Sequence, residues 1–188
     1  MKMIVATHNK HKIEEFKRIL EPMGFEVCTA ELTEAEENGT TFAENAYIKA
    51  KSACDETGLP CIADDSGLCV DFLGGGPGVY SARYAPNDNG KYRVLEEMKD
   101  VPMEERGAYF ESAISCVFPD GSEIACQGRC YGKIDFELKG DGGFGYDPIF
   151  LVGEKTFSEM TAEEKDAVSH RGMALRIFEE KLKEKFGL

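Results

Sequence analysis

No apolar run in the 188-residue chain approaches the roughly 20 residues needed to cross a bilayer, so no membrane partner is expected. The amino-terminal MKMIVATHNKHK has neither the apolar region nor the cleavage site of a signal peptide, and the chain is expected to be cytoplasmic. Its seven cysteines include no CxxC spacing, which argues against a zinc site. Cys126 and Cys130 come nearest to a motif, on a stretch that reads as a strand, so the thiols are expected to be reduced core residues. Basic side chains are scarce: 22 Lys and Arg stand against 35 Asp and Glu, a net charge of -13. That balance disfavours a nucleic acid polymer, whose phosphates need a basic face. A small phosphorylated ligand would need a local cluster of cations, or metal ions held by carboxylates. The Gly-rich loop GGGPG, Gly74 to Gly78, is not a GxGxxG fingerprint, and no GK[ST] follows any Gly-rich loop. Repeats, low-complexity segments and linkers are also missing, so residues 1–188 are expected to form a single domain.

The patterning alternates strand and helix and then turns β-rich. KMIVAT reads as a buried strand; Ile13, Phe16 and Leu20 then recur at helical spacing until Pro22-Met23-Gly24. FEVCT predicts a second strand. Thr41-Phe42-Ala43-Glu44 is a capping box that opens a helix running to about Gly58. CIADD predicts a third strand, ending at its two aspartates, and a short helix is expected from about Asp88 to Met98. Between Ala108 and Ile134 the period becomes two around Pro119-Asp120-Gly121, the sign of a long hairpin. PIFLV predicts the last strand. Two helices close the chain, the second with Leu175, Phe178, Leu182 and Phe186 on one face. The fold class is therefore α/β with a mixed sheet.

Several positions carry candidate chemistry. Thr7 to Lys12 joins the first strand to the first helix, where N–H groups and the positive end of the helix dipole suit a phosphate. Asn9 is a plausible N-cap, and Lys12 lies one turn in; the lysines could equally solvate an exposed face. Glu34, Glu36 and Glu37 precede the capped helix. Asn38-Gly39 is first a turn signal. Asp64 and Asp65 are adjacent carboxylates on an extended segment, so they point to opposite faces and both cannot be simple surface residues. Their repulsion needs a cation or donors nearby. Phe144, flanked by glycines in GGFGYDPIF, is either a core plug or a platform for a flat ligand. Ser169-His170-Arg171 opens the last helix, with Ser169 as a natural N-cap.

TxNxxK, EENGxTFxENAxxKA, ADDSGL, GGGPGVYSARY, GGFGYDPIF and EEKxxxSHRGxAL occur in one order across nearly the whole chain. In that order they resemble the inosine/xanthosine triphosphate pyrophosphatase family, which hydrolyses non-standard purine nucleoside triphosphates to the monophosphate and pyrophosphate. The resemblance implies an elongated α/β fold with a central mixed sheet, two lobes and a nucleotide cleft between them, assembled as a homodimer. Thr7, His8, Asn9, Lys10, His11 and Lys12 would match the family's phosphate loop, with His8 and Lys10 where the family varies. Glu37 and Asp65 would match its Mg2+ ligands, Asp65 also being the base; Lys12, Lys49 and Asp64 would support that centre. Ser66 would touch substrate. Phe144, Gly145, Tyr146 and Asp147 would match the base-binding loop, and Lys165, His170 and Arg171 would complete the nucleotide pocket.

Overall fold

A computed structural model describes residues 1–187. Its strands are β1 (Lys2–Val5), β2 (Glu26–Cys28), β3 (Cys61–Val70), β4 (Gly107–Val117), β5 (Glu123–Ile134), β6 (Phe150–Val152) and β7 (Lys155–Thr156). They form one sheet in the order β2-β1-β3-β4-β5-β6-β7. β1 pairs in parallel with β2 and β3, whereas β5–β6 and β6–β7 are antiparallel, so the sheet is mixed. The helices are α1 (Lys10–Leu20), α2 (Phe42–Thr57), α3 (Gly90–Glu97), α4 (Ala162–Val168) and α5 (His170–Phe186). The residues fall into two compact units: 1–65, 112–128 and 171 onward in the first, and 66–111 with 129–170 in the second.

The first unit shows how alternation along a strand distributes side chains. Met3 and Val5 join Phe16 and Leu20 of α1 and Leu175, Phe178 and Leu182 of α5 in one apolar cluster. Ile4 and Ala6 point the other way, into a cluster with Ala50, Ala53 and Cys54 of α2. β3 repeats the division, with Ile62 on the α1 and α5 side and Cys61 and Ala63 on the α2 side. Each large apolar side chain so buried contributes about 1.5–3 kcal/mol.

Local signals hold these helices in place. Asn9 Oδ1 accepts the N–H groups of His11 and Lys12 at 3.0 and 3.3 Å, capping α1. Thr41 and Glu44 form the expected reciprocal box at the start of α2. Gly58, at φ 66°, ends that helix in the left-handed conformation that glycine adopts without strain.

The second unit buries Leu68, Val70, Val94, Met98, Phe110, Ile134, Tyr146, Phe150 and Phe157 in its own core. Arg106 is fully buried there and donates to the carbonyls of Ile134, Met98, Val101 and Asp135, tying the start of β4 to the end of β5 and the segment after α3.

Four expectations change. β3 does not end at Asp65 but continues through Ser66-Gly67 to Val70, because Leu68, Cys69 and Val70 are themselves buried. β4 is buried on both faces beyond Tyr109, which masks simple alternation. PIFLV contributes only Phe150–Val152, and β7 follows after a tight turn at Gly153, whose φ is 65°. Phe186 stays exposed rather than joining Leu182, although its ring meets that of Phe118.

Candidate functional site

The alternation that sorts the core also sorts the two aspartates. β1 stops pairing with β3 at Ile62, whose carbonyl accepts the Ala6 N–H at 2.8 Å. Asp64 and Asp65 therefore lie just past the carboxyl end of β1, where open α/β sheets carry ligands. They remain 1% and 8% exposed.

Asp64 follows Ile62 toward α1 and α5. Its Oδ2 accepts from Arg171 Nη2 and Nε at 3.0 and 3.2 Å, while Lys12 Nζ stands 3.1 Å from Oδ1. Arg171 Nη1 also donates to Glu15, a buried carboxylate of α1. Asp65 follows Ala63 toward α2. Its Oδ2 accepts from Asn45 Nδ2 at 3.0 Å, and its Oδ1 stands 3.6 Å from Lys49 Nζ, which also contacts Glu37 at 3.1 Å. One adjacent pair is thus divided between two cation sets.

The electrostatics separate the pair further. Burial would raise the Asp64 carboxyl, but Lys12 and Arg171 outweigh it and hold Asp64 well below the usual carboxylate range. Burial opposes the Arg171 charge as well, yet Asp64 and Glu15 raise its pKa. For Lys12 the balance reverses: burial lowers its ammonium more than Asp64 restores it. At Asp65 burial prevails, lifting the carboxyl above its usual value while Lys49 and Asn45 only partly offset it. A raised carboxylate is the better proton acceptor.

A cavity of about 120 Å³ is lined by Ala6, Thr7, His8, Glu34, Glu37 and Lys49, among others. Thr7 Oγ1 accepts the Asn9 N–H at 3.2 Å, closing the strand-to-helix turn. Lys10 and His11 are exposed on the first turn of α1. Glu37 and Asp65 already share one positive charge within 3.6 Å, so a divalent cation faces two hard oxygen donors whose repulsion it would relieve. Magnesium is commonly held by one or two carboxylates together with waters and substrate phosphates, and this donor set fits it. Among the described residues no group of three or more His, Cys, Asp and Glu gathers as a closed metal cage.

The remaining candidates belong to the second unit, apart from Arg171. Asp147 Oδ2 accepts the Phe144 N–H at 2.9 Å and Lys165 Nζ at 2.8 Å, and that ammonium lies 4.9 Å from the Phe144 ring centroid. A Cβ on Gly143 would meet Asp147 Oδ2 at 2.1 Å, so the tight loop requires glycine there. Gly145 takes a left-handed φ of 58°. Tyr146 is buried and donates to the Ser81 carbonyl at 2.7 Å. The His170 ring stacks on Phe110 at 4.7 Å and 11°. Ser66 is half-buried, and Ser169 stands in extended backbone immediately before α5.

Arg171, expected beside His170 among donors to a base, has its guanidinium engaged by Asp64 and Glu15. Asn45 and Glu15 were not anticipated. Asn45 stands inside the motif EENGxTFxENAxxKA, which was its available signal, whereas Glu15 lies in the mostly charged run His11-Lys12-Ile13-Glu14-Glu15 and carries no local signal.

A mixed α/β sheet with acids and lysines gathered past the end of a parallel strand defines a class of ligand-binding proteins. Within that class the chain belongs to the Ham1 family, whose family model matches residues 3–181. It is 46% identical to a dITP/XTP pyrophosphatase of Desulforamulus reducens, over 94% of this chain and 92% of that one. A dITP/XTP pyrophosphatase of Geobacter sulfurreducens is 45% identical, over 96% of both chains. Among solved structures, the Staphylococcus aureus Ham1 protein superposes with a TM-score of 0.87 at 35% identity, covering 98% of this chain and all of that one. A Mycobacterium abscessus nucleoside-triphosphatase/dITP/XTP pyrophosphatase gives 0.75 at 45% identity, over 95% and 98%.

Proposed function

We propose that the chain hydrolyses the non-standard purine nucleoside triphosphates ITP, dITP and XTP to the monophosphate and pyrophosphate, removing them from the nucleotide pool. The observation that carries this reading is the division of Asp64 and Asp65 between separate cation sets, one a buried ion pair and the other a raised carboxylate beside Glu37 and Lys49. The relatives named dITP/XTP pyrophosphatase support the substrate class.

A nucleoside triphosphate carries about four negative charges, and an acidic protein must supply compensation. Lys12, Lys49 and the N-terminal turn of α1 offer it around the phosphates. Glu37 and Asp65 would hold Mg2+, which when bound supplies charge neutralisation and a positioned, acidified water. Asp65 accepts the proton of the attacking water. The water oxygen forms the new P–O bond as the bond to pyrophosphate breaks. Asp64, kept ionised by Arg171, orients Lys12.

Base choice rests on residues of the second unit. A 6-oxo purine presents an acceptor where adenine presents a donor, and His170 is the side chain assigned to meet it. Each donor left unmet costs about 1–3 kcal/mol. Phe144 supplies an aromatic face, and Asp147 with Lys165 holds its loop. The family resemblance supports a homodimer, which light scattering of the purified chain tests. Among the described residues no helix is long and apolar enough to cross a membrane.

Product analysis tests the reaction. ITP should yield IMP and pyrophosphate in equal amounts; IDP with inorganic phosphate would overturn the assignment.

A further inference from the structure

Asn45 lies in the first turns of α2, is 1% exposed, and uses both ends of its amide. Nδ2 donates to Asp65 Oδ2 at 3.0 Å, and Oδ1 accepts the Gly39 N–H at 2.8 Å. Buried amides are costly unless both ends are satisfied, so this side chain has a single orientation. Gly39 follows Glu37 by two residues, in the segment that leads into the α2 cap. A Cβ on Gly39 would meet Asn45 Oδ1 and Glu44 Cβ at 2.7 Å, which leaves no room for any other residue there. Lys49, one helical turn after Asn45, contacts both Glu37 and Asp65.

We infer that Asn45 is a positioning residue: it fixes Asp65 and the Glu37 segment relative to each other, so that both carboxylates present oxygens to one divalent cation. The inference rests on the two-carboxylate reading of the metal site. By holding Oδ2, the amide leaves Asp65 Oδ1, on the Lys49 side, as the oxygen available to metal or water. By holding the Gly39 N–H, it limits how far Glu37 can move. Lys49 alone would supply charge but not direction, because an ammonium on a flexible stem accepts many carboxylate orientations. Residues that orient metal ligands typically change metal affinity about 10–100-fold when removed.

The test uses the full-length chain and Mn2+ alone, with binding read from water proton relaxation. Asn45→Leu keeps the branched shape, at a somewhat larger volume, but removes both hydrogen bonds; Gly39→Ala leaves Asn45 intact but forces the segment away from it. Both should weaken Mn2+ binding about 10-fold or more. Both should also raise the Mg2+ concentration for half-maximal ITP hydrolysis while KM for ITP at saturating Mg2+ changes little. Thermal unfolding with circular dichroism identifies a variant that has not folded, and Asn45→Ser then replaces Asn45→Leu. Wild-type Mn2+ affinity in folded variants would overturn the positioning role while leaving the proposed reaction standing. Absence of Mn2+ binding by the wild-type chain would remove the metal site itself, and this inference with it.

Discussion

Arg171→Met offers the sharpest test of the buried charge network. The guanidinium is 2% exposed and joins Asp64 to Glu15, residues from three different elements of the first unit. Methionine retains much of the stem's packing but leaves Glu15 without that donor and Asp64 facing Lys12 and the more weakly acting Lys49. Removing one partner of a buried pair typically costs about 3–5 kcal/mol, because a desolvated charge is left behind. A chain of this size loses roughly 2–4 °C per kcal/mol, so the midpoint should fall by about 6–20 °C. Differential scanning calorimetry at neutral pH reads that shift. Lys99→Ala, which removes an exposed pair with Glu96, is the control and should change stability by less than about 1 kcal/mol. If Arg171→Met also costs less than about 1 kcal/mol, the network does not hold Asp64, and the account of its ionisation fails.

Three other consequences are open to measurement. Asp65→Asn should lower kcat on ITP by about 100-fold or more, with an unchanged or higher melting temperature because a carboxyl disfavoured by burial is removed; near-normal turnover would take Asp65 out of the reaction. Burial raises the Cys126 and Cys130 thiols to about 12 and about 11, so the unfolded chain releases these protons first as pH rises; stability should be fully present below about pH 8.5 and fall through about pH 9–12, as urea midpoints would show. Thr41→Ala removes the side-chain acceptor for the Glu44 N–H and should cost about 1 kcal/mol in the same urea titration, whereas an unchanged midpoint would mean that the α2 cap contributes nothing.

Local chemistry made much of this structure legible in advance. The capping box at Thr41 and Glu44 depends on residues three apart, and the α1 cap depends on Asn9 and the next turn. Alternation along β1 likewise needs only its own residues and the two apolar faces it serves. The continuation of β3 was less accessible, because Ser66-Gly67 carries a turn signal that burial of Leu68 and Val70 overrides. β7 spans two residues, too few for any period to register.

The candidate site divides the same way. Asp64 and Asp65 stood out by adjacency, and opposite-face placement followed from strand geometry. Their partners could not be read so directly, since Arg171 lies 107 positions from Asp64 and Asn45 lies 20 from Asp65. Such contacts depend on which helices pack on each face of the sheet.

Pyrophosphate release from ITP, dITP, XTP, GTP and ATP, each with Mg2+ and with a chelator, tests the central claim most directly. The expected result is rapid release from ITP, dITP and XTP, little from GTP and ATP, and none without the metal. Comparable efficiency on ATP and ITP, or hydrolysis that persists in the chelator, would contradict it.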